Sequence, residues 1–208
     1  DLYFGDDGLV SSAGPGTVLV DLSATTPNFA REINAVATVN DLVMVEAPLT
    51  VRSLVAEDAF ARENLLGPVA SESELSEEVR TLLEAIFGEV VELGAPGRAQ
   101  LMRSTHTLPL AANLASAIEA VALDDAAARS VGALDADQVP LFCTVSTDPV
   151  VRAVQQRRFA GDYTVEMLLA ELSAALMAAD DAEVILPGVE ATMHLLELLA
   201  VIGGAGMA

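Results

Sequence analysis

Three polar side chains at helical spacing are the first candidates for chemistry in this chain. Arg103, His106 and Thr107 are three and four residues apart, so an α-helix would place them on one face. A guanidinium stays charged at any working pH, so Arg103 can orient an oxygen atom but is a poor proton shuttle. His106 could supply the proton to an oxygen that Arg103 holds. The simpler interpretation makes His106 an ordinary structural residue.

A second group of hydroxyl side chains follows the first predicted strand, at residues 17–21. Ligands bind at the carboxyl edge of parallel sheets, so Ser23, just after this strand, is a candidate substrate contact. The same stretch also suits a turn and a helix cap, with Thr26 as the cap and Pro27 at the first helical position. The spacing by itself favours the turn and cap.

Several motifs that would identify a site are missing from the sequence. No GxGxxG follows a strand and opens a helix, and there is no P-loop. His106 and His194 are predicted on separate helices, so they could share a metal only if the fold brings them together. Cys143 is the single cysteine, so no intrachain disulfide can form, and a cytoplasmic location is expected.

The charge balance limits the partners of this chain. All 10 basic residues are arginine, against 31 acidic residues, and the formal net charge is -21. A field of that sign repels phosphate backbones and anionic lipid surfaces, so nucleic acid is not an expected partner. No apolar run is long enough for a membrane span, so no membrane association is expected either.

The hydrophobic pattern changes in character along the chain. Strands alternate with helices up to about residue 93, which predicts an α/β part with a parallel βαβ unit, and the remainder is predicted to be all-α. A capping box at Ser71 and Glu74 is expected to open one of the helices. The predicted strands are 17–21, 42–45, 65–70 and 89–93, and the predicted helices are 27–39, 56–64, 71–87, 98–125 (bent near Pro109), 133–146, 148–159, 163–180 and 187–202.

Three segments, in this order, resemble motifs of the β-hydroxyacid dehydrogenase family, which includes 3-hydroxyisobutyrate and 6-phosphogluconate dehydrogenases. VDLSATTP, at residues 20–27, resembles the family's VDxSTxxP. EAPLTVR, at 46–52, resembles DAPVSGG. GAPGRAQLMR, at 94–103 and continuing to Thr107, resembles GxxGxGxxxKxxxN. The resemblance extends over nearly the whole chain.

This resemblance implies a fold, a cofactor and a partner. Residues 1–93 would be the C-terminal half of a dinucleotide-binding, Rossmann-like domain, and a long helix would join it to a helical bundle at 94–208 that binds substrate and forms a homodimer. The cofactor would be NAD or NADP, and the substrate a small molecule. The family's GxGxxG half is missing here, so the chain is expected to be a fragment or a shortened gene product.

The family's functional residues fall on changed positions. The lysine that handles the substrate's hydroxyl proton corresponds to Arg103, and a further lysine near the cofactor corresponds to Ala170. The residues at the positions that contact substrate in the family are Ser23, Thr50, Val51, Arg52 and Thr107. Among these, Val51 and Arg52 replace two glycines, and Thr107 replaces an asparagine.

Two functions follow as hypotheses. The first is an NAD(P)-dependent oxidoreductase with an altered active site, acting on a small hydroxy acid or a related carbonyl or imine. The alternative is a non-catalytic relative that serves as a dimerisation or ligand-binding module. In either case this chain by itself is expected to be inactive, because the turn that holds the cofactor's phosphates is not in the sequence.

Overall fold

An α/β part precedes a set of helices in this protein, as expected from the sequence, and its sheet is mixed rather than wholly parallel. The structure, a computed structural model, describes residues 2–5, 8–132, 149–156, 158 and 161–203. The strands are β1 (Val18–Asp21), β2 (Val43–Glu46), β3 (Thr50–Val51), β4 (Leu65–Ser71) and β5 (Glu89–Glu92). The helices are α1 (Leu9–Ser12), α2 (Pro27–Val39), α3 (Glu77–Ile86), α4 (Arg98–Val131), α5 (Pro149–Gln155), α6 (Val165–Asp181) and α7 (Pro187–Gly203).

Strand β4 is the organising strand of the sheet. Strands β1 and β2 pair in parallel, which confirms the predicted βαβ unit around α2. Strand β4 then runs antiparallel to β2 and to β3, and parallel to β5. The two-residue strand β3 was not predicted, because so short a segment carries no periodic signal.

Helix α2 begins where its sequence indicates. The Thr26 hydroxyl accepts a hydrogen bond from the Phe29 N–H at 3.1 Å, and Pro27 occupies the first helical position. This cap satisfies one of the backbone donors that every helix leaves free at its start. The local prediction succeeds because all the residues that it needs are adjacent in the chain.

One local prediction is wrong because a tertiary contact overrides it. Helix α3 is capped by Ser76, whose hydroxyl accepts from the Val79 N–H, and not by Ser71. Ser71 ends β4 instead, and its hydroxyl donates to the Met44 carbonyl of β2. Within α3, Leu82 is half exposed, because it lies about 100° around the helix from the buried Leu83.

The predicted helix at 56–64 is also wrong for most of its length. Only Arg62–Asn64 forms a helical turn, of the 3₁₀ type, and residues 53–61 form a loop. Ala59 of this loop is wholly buried in the main core, and the Asn64 side chain donates to the Asp58 carbonyl. Packing of the loop therefore takes precedence over its helical composition.

The described helices of the helical part agree with the predicted helices, but they begin and end at somewhat different residues. Helix α4 continues through Pro109 to Val131, beyond the predicted end near residue 125. Helices α5, α6 and α7 match the predicted helices at 148–159, 163–180 and 187–202. The predicted helix at 133–146, Cys143 within it, and Arg157 lie outside the described residues. None of the described helices combines the length and the apolar composition that a membrane crossing needs.

A buried carboxyl group joins the end of β2 to the start of α4. The Glu46 Oε1 accepts hydrogen bonds from the N–H groups of Gly97, at 2.6 Å, and Ala99, at 3.2 Å. Its other oxygen, Oε2, is buried and has no hydrogen-bond partner among the described residues. Burial raises the pKa of Glu46 to about 7, although the two backbone donors act in the opposite direction. The carboxyl group therefore carries a proton, on Oε2, over much of the acidic range.

Replacing this acid by its amide is expected to change the pH dependence of stability. Between pH 4.5 and about 7 the unfolded chain has lost the Glu46 proton and the folded chain has kept it. The free energy of unfolding therefore falls as pH rises through this range, by on the order of 1–3 kcal/mol from this group. The free energy of unfolding, measured with urea at pH 5 and at pH 7.5, should fall less between these two pH values in Glu46→Gln than in the wild type. An equal fall in the free energy of unfolding of both proteins would contradict the raised pKa of Glu46.

A second prediction concerns the contact between β4 and the end of α3. A Cβ atom at Gly67 would lie 2.5 Å from the Cγ of Phe87, a ring that is fully buried. Gly67→Ala should therefore lower stability by about 1–3 kcal/mol. Gly14→Ala is the matched control, because nothing lies within 4 Å of a Cβ there. Thermal unfolding of the two variants should differ clearly, and equal melting temperatures would refute the close packing.

Candidate active site

Helix α4 directs Arg103 and Thr107 to one neighbour and His106 to another. Arg103 is wholly buried against α6, Thr107 is buried beside it, and His106 is half-buried towards β3. The predicted common face is therefore present, with Arg103 and Thr107 meeting the same partner. His106 belongs to a separate contact.

The partner of Arg103 is a carboxylate on α6. The Arg103 Nη1 lies 3.2 Å from the Glu171 Oε2, as an ion pair. The same oxygen accepts a hydrogen bond of 2.6 Å from the Thr107 hydroxyl. Desolvation by burial lowers the pKa of Arg103, and the negative charge of Glu171 opposes that shift. One glutamate therefore balances the arginine and fixes the threonine.

The guanidinium is only partly satisfied in this setting. Its Nε donates to the Gln100 Oε1 at 3.3 Å, Nη1 faces the Glu171 carboxylate, and Nη2 is buried without a hydrogen-bond partner among the described residues. The hydroxyl of Tyr163 is also buried and lies beside the same glutamate. Burial is the largest cause that raises the pKa of Tyr163, followed by the charge of Glu171. Glu171 is thus the shared partner of Arg103, Thr107 and Tyr163, and Nη2 is the guanidinium nitrogen left without an acceptor among the described residues.

His106 links α4 to β3. Its Nε2 lies 3.0 Å from the Val51 carbonyl oxygen. A carbonyl only accepts, so Nε2 carries the proton and donates it to this bond. The ring is held by backbone, which is the arrangement expected of a structural histidine, and its Nδ1 is the atom left for any proton transfer.

Gln100 connects the loop after β1 to Arg103. Its side chain is fully buried, donates to the Ser23 carbonyl at 3.0 Å and accepts from the Thr25 N–H at 3.1 Å. The Ser23 hydroxyl is turned the other way and donates to the Asp21 Oδ1 at 2.6 Å. Ser23 therefore forms a turn, and its backbone is tied to the same helix that carries Arg103.

The other sequence-predicted residues are dispersed. The buried Thr50 hydroxyl donates to the Pro48 carbonyl, and Val51 is part of the main core. Arg52 points outwards and forms an ion pair of 2.7 Å with Glu89. Ala170 is exposed on α6, one residue before the Glu171 that faces Arg103. The structure thus gathers Arg103 and Thr107, with the Ser23 backbone joined through Gln100, and leaves Arg52 and Ala170 apart.

Four residues of this region were not among the predicted site residues, namely Glu46, Gln100, Tyr163 and Glu171. Gln100 precedes Arg103 by three residues, so helical spacing could have included it. Glu171 stands beside Ala170 at the family's Lys-Asp pair, so the resemblance pointed to it. Tyr163 precedes α6 and has no local signal, because only the packing of α6 against α4 brings it near Arg103.

Other parts of the described chain offer weaker sites. No group of three potential metal-ligand side chains converges within the described residues. His194 is exposed and lies 3.7 Å from the Glu197 carboxylate on its own helix. Two shallow clefts, of about 210 and 360 Å³, share Glu72 in their linings and include none of the residues around Arg103.

Known proteins resemble this chain in sequence. No family model matches it. It is 32% identical over 122 residues to an NAD-dependent L-serine dehydrogenase of Pseudomonas aeruginosa, covering 59% of this chain and 40% of that protein. It is 35% identical over 121 residues to a probable 3-hydroxyisobutyrate dehydrogenase-like protein of Arabidopsis thaliana, covering 58% of this chain and 36% of that one. The matches thus span less than half the length of these curated relatives.

The fold is also that of a known structure. The crystal structure of 3-hydroxyisobutyrate dehydrogenase from Salmonella typhimurium matches with a TM-score of 0.71 at 19% identity, covering 97% of this chain and 70% of that one. Such identity shows the fold alone, a Rossmann-like part followed by a helical domain. The resemblance first drawn from the three motifs is therefore confirmed: in sequence and in fold, this chain is similar to the β-hydroxyacid dehydrogenase family.

Proposed function

We propose that this chain is the substrate-binding part of an NAD(P)-dependent oxidoreductase of the β-hydroxyacid dehydrogenase type, with an altered active site. Its substrate is a small hydroxy acid or a related carbonyl or imine compound. The observation that carries the proposal is the environment of Arg103, at the position of the family's lysine. Residues 1–93 form the α/β part in this scheme, and residues 94–208 form the helical part that binds substrate and a second copy.

The chemistry at Arg103 differs from that of a lysine. A guanidinium holds and polarises an oxygen atom, but it does not exchange its proton at working pH. One of its nitrogens, Nη2, is buried without a hydrogen-bond partner among the described residues. Leaving a buried donor unsatisfied costs about 1–3 kcal/mol, so an acceptor supplied by a ligand would be bound favourably.

The residues present fit one end of NAD or NADP. The buried Nη2 of Arg103 suits the end where substrate and nicotinamide react, because an oxygen atom there would find a donor. The glycine-rich turn that cradles the pyrophosphate is not in this sequence, and Ala170 stands where the family has a lysine. The bound cofactor supplies the hydride acceptor or donor. The chain's own residues hold the substrate oxygen and exclude water around it.

One observation is also compatible with the alternative, a non-catalytic dimerisation or ligand-binding module. Helix α7 is strongly apolar, yet Val201 is 85% and Ile202 84% exposed. Exposed apolar side chains at neighbouring positions favour association with a partner surface. A homodimer through the helical part serves both functions, so it does not by itself separate them.

A chimera tests the oxidoreductase proposal. The nucleotide-binding half of the Pseudomonas relative, fused ahead of this chain, should bind NADH or NADPH and oxidise it in the presence of small oxo compounds. Arg103→Ala in the chimera should lower kcat by about a hundredfold or more and leave cofactor affinity unchanged, because it removes donors to the substrate oxygen. The unfused chain should show no turnover.

The matched control is Arg98→Ala, which removes an exposed arginine from the same helix. It should leave both kcat and cofactor affinity near those of the unmodified chimera. A folded chimera that binds the cofactor but turns over no oxo compound would favour the non-catalytic alternative. Absorbance at the wavelength of the reduced nicotinamide measures turnover, and calorimetry measures cofactor binding.

The dimer proposal has its own test. Val201→Glu should shift the unfused chain from dimer to monomer in sedimentation equilibrium, because it places a charge in the apolar surface of α7. Val39→Glu is the matched control, since Val39 is 84% exposed at the end of α2 in the α/β part. A monomeric wild type, or an equal effect of both substitutions, would contradict dimerisation through α7.

A further inference from the structure

A cleft between α2 and the turn before α4 carries two opposite charges that do not pair with each other. The cleft has a volume of about 360 Å³, and both Arg31 and Glu72 line it. No nitrogen of Arg31 lies within 4.0 Å of a Glu72 oxygen, or of any other carboxylate oxygen among the described residues. Small-molecule sites have volumes of about 300–1,000 Å³, so the cleft is large enough for a small ligand.

Each of the two charges is positioned by a contact of its own. The buried Asn34 side chain donates to the Glu72 Oε2 at 3.0 Å, which ties this carboxylate to α2. The stem of Arg31 packs against the turn before α4, since a Cβ atom at Gly97 would lie 3.2 Å from the Arg31 Cγ. Arg31 and Asn34 are three residues apart and share one face of α2. The cation and the anion therefore flank the same cleft, about one helical turn apart.

This lining suits a ligand that carries both charges. A guanidinium pairs with a carboxylate through two donors, and a carboxylate accepts hydrogen bonds from an ammonium group. The lining also contains Ala35, Ala95 and Pro96, whose small apolar surfaces suit a short aliphatic side chain. The formal net charge of -21 repels a simple anion, whereas a zwitterion has no net charge to be repelled. A simple cation would pair with Glu72 and face the like charge of Arg31.

We propose that this cleft binds a small zwitterionic α-amino acid, with its carboxylate on Arg31 and its ammonium group on Glu72. Both side chains are exposed to solvent, so the affinity is expected to be about millimolar. The cleft includes none of the residues around Arg103, and binding there requires no nucleotide. The site is therefore independent of the proposed oxidoreductase function.

Three molecules of equal shape test the need for both charges. L-Alanine carries both, isobutyrate has a methyl group in place of the ammonium group, and L-alaninamide has an amide in place of the carboxylate. In amide NMR spectra of the 208-residue chain, L-alanine should shift the signals of Asn34, Glu72 and Ala95. Titration of these signals should show L-alanine binding at least about fivefold more tightly than either analogue, because each analogue loses one charge-assisted contact.

Substitution of each charge should remove one of the two preferences. Arg31→Gln should make L-alanine bind no better than L-alaninamide, and Glu72→Gln should make it bind no better than isobutyrate. Arg98→Gln and Glu32→Gln are the matched controls, since they make the same changes on exposed residues that do not line the cleft, and they should leave all three affinities unchanged. Thermal unfolding checks that each variant is folded. If a cleft variant does not fold, the preferences of the wild type decide the question.

Several outcomes would overturn the site. Equal binding of the three molecules by the wild type would do so, and so would the absence of binding by L-alanine. Signal shifts confined to residues around Arg103 would place the amino acid elsewhere and also refute the cleft. An equal loss of affinity in the cleft variants and in their controls would reduce the effect to overall charge. Because this measurement needs no cofactor, selective binding supports the site even if the fused protein shows no turnover.

Discussion

The hydrogen bonds from the start of α4 to Glu46 are the contact on which the rest of the molecule depends. This carboxyl group ends a strand of the sheet, and its Oε1 receives the N–H groups of Gly97 and Ala99. Helix α4 extends from Arg98 to Val131 and carries every candidate side chain that faces the helical part. Because one end of a long rigid element is tied to the sheet, the position of Arg103 relative to β2 and β3 is defined.

The same carboxyl group shows how much the surroundings alter ordinary chemistry. Glu46 is buried, so its pKa is raised to about 7, and its second oxygen is left without a hydrogen-bond partner among the described residues. Gln100 and His106 add two further ties from α4, to the loop after β1 and to β3. These contacts position the polar cluster between the sheet and α6. They also explain why His106 is engaged by backbone rather than directed at Arg103.

Arg103 stands at the position that the resemblance assigns to the family's lysine, and there it is a buried, paired cation. Its ion pair with Glu171 is buried, so removing either partner would leave an uncompensated charge. In the proposed function, Arg103 holds and orients an oxygen atom, and the proton comes from another group. The sequence relatives are dehydrogenases, and the fold matches 3-hydroxyisobutyrate dehydrogenase.

Local sequence determined the features whose causes are adjacent in the chain. Thr26 and Pro27 start α2, the β-branched runs form β1 and β2, and the spacing of Arg103 and Thr107 places them on one helix face. Tertiary structure alone determined the direction of β4, the loop at 53–61 and the hydrogen bond of Ser71 to the sheet. It also brought Glu171 and Tyr163 next to Arg103. The physical reason is that hydrogen-bond caps and side-chain periodicity act over a few residues, whereas burial and charge pairing join residues about 60 positions apart, as in the hydrogen bond from Thr107 to Glu171.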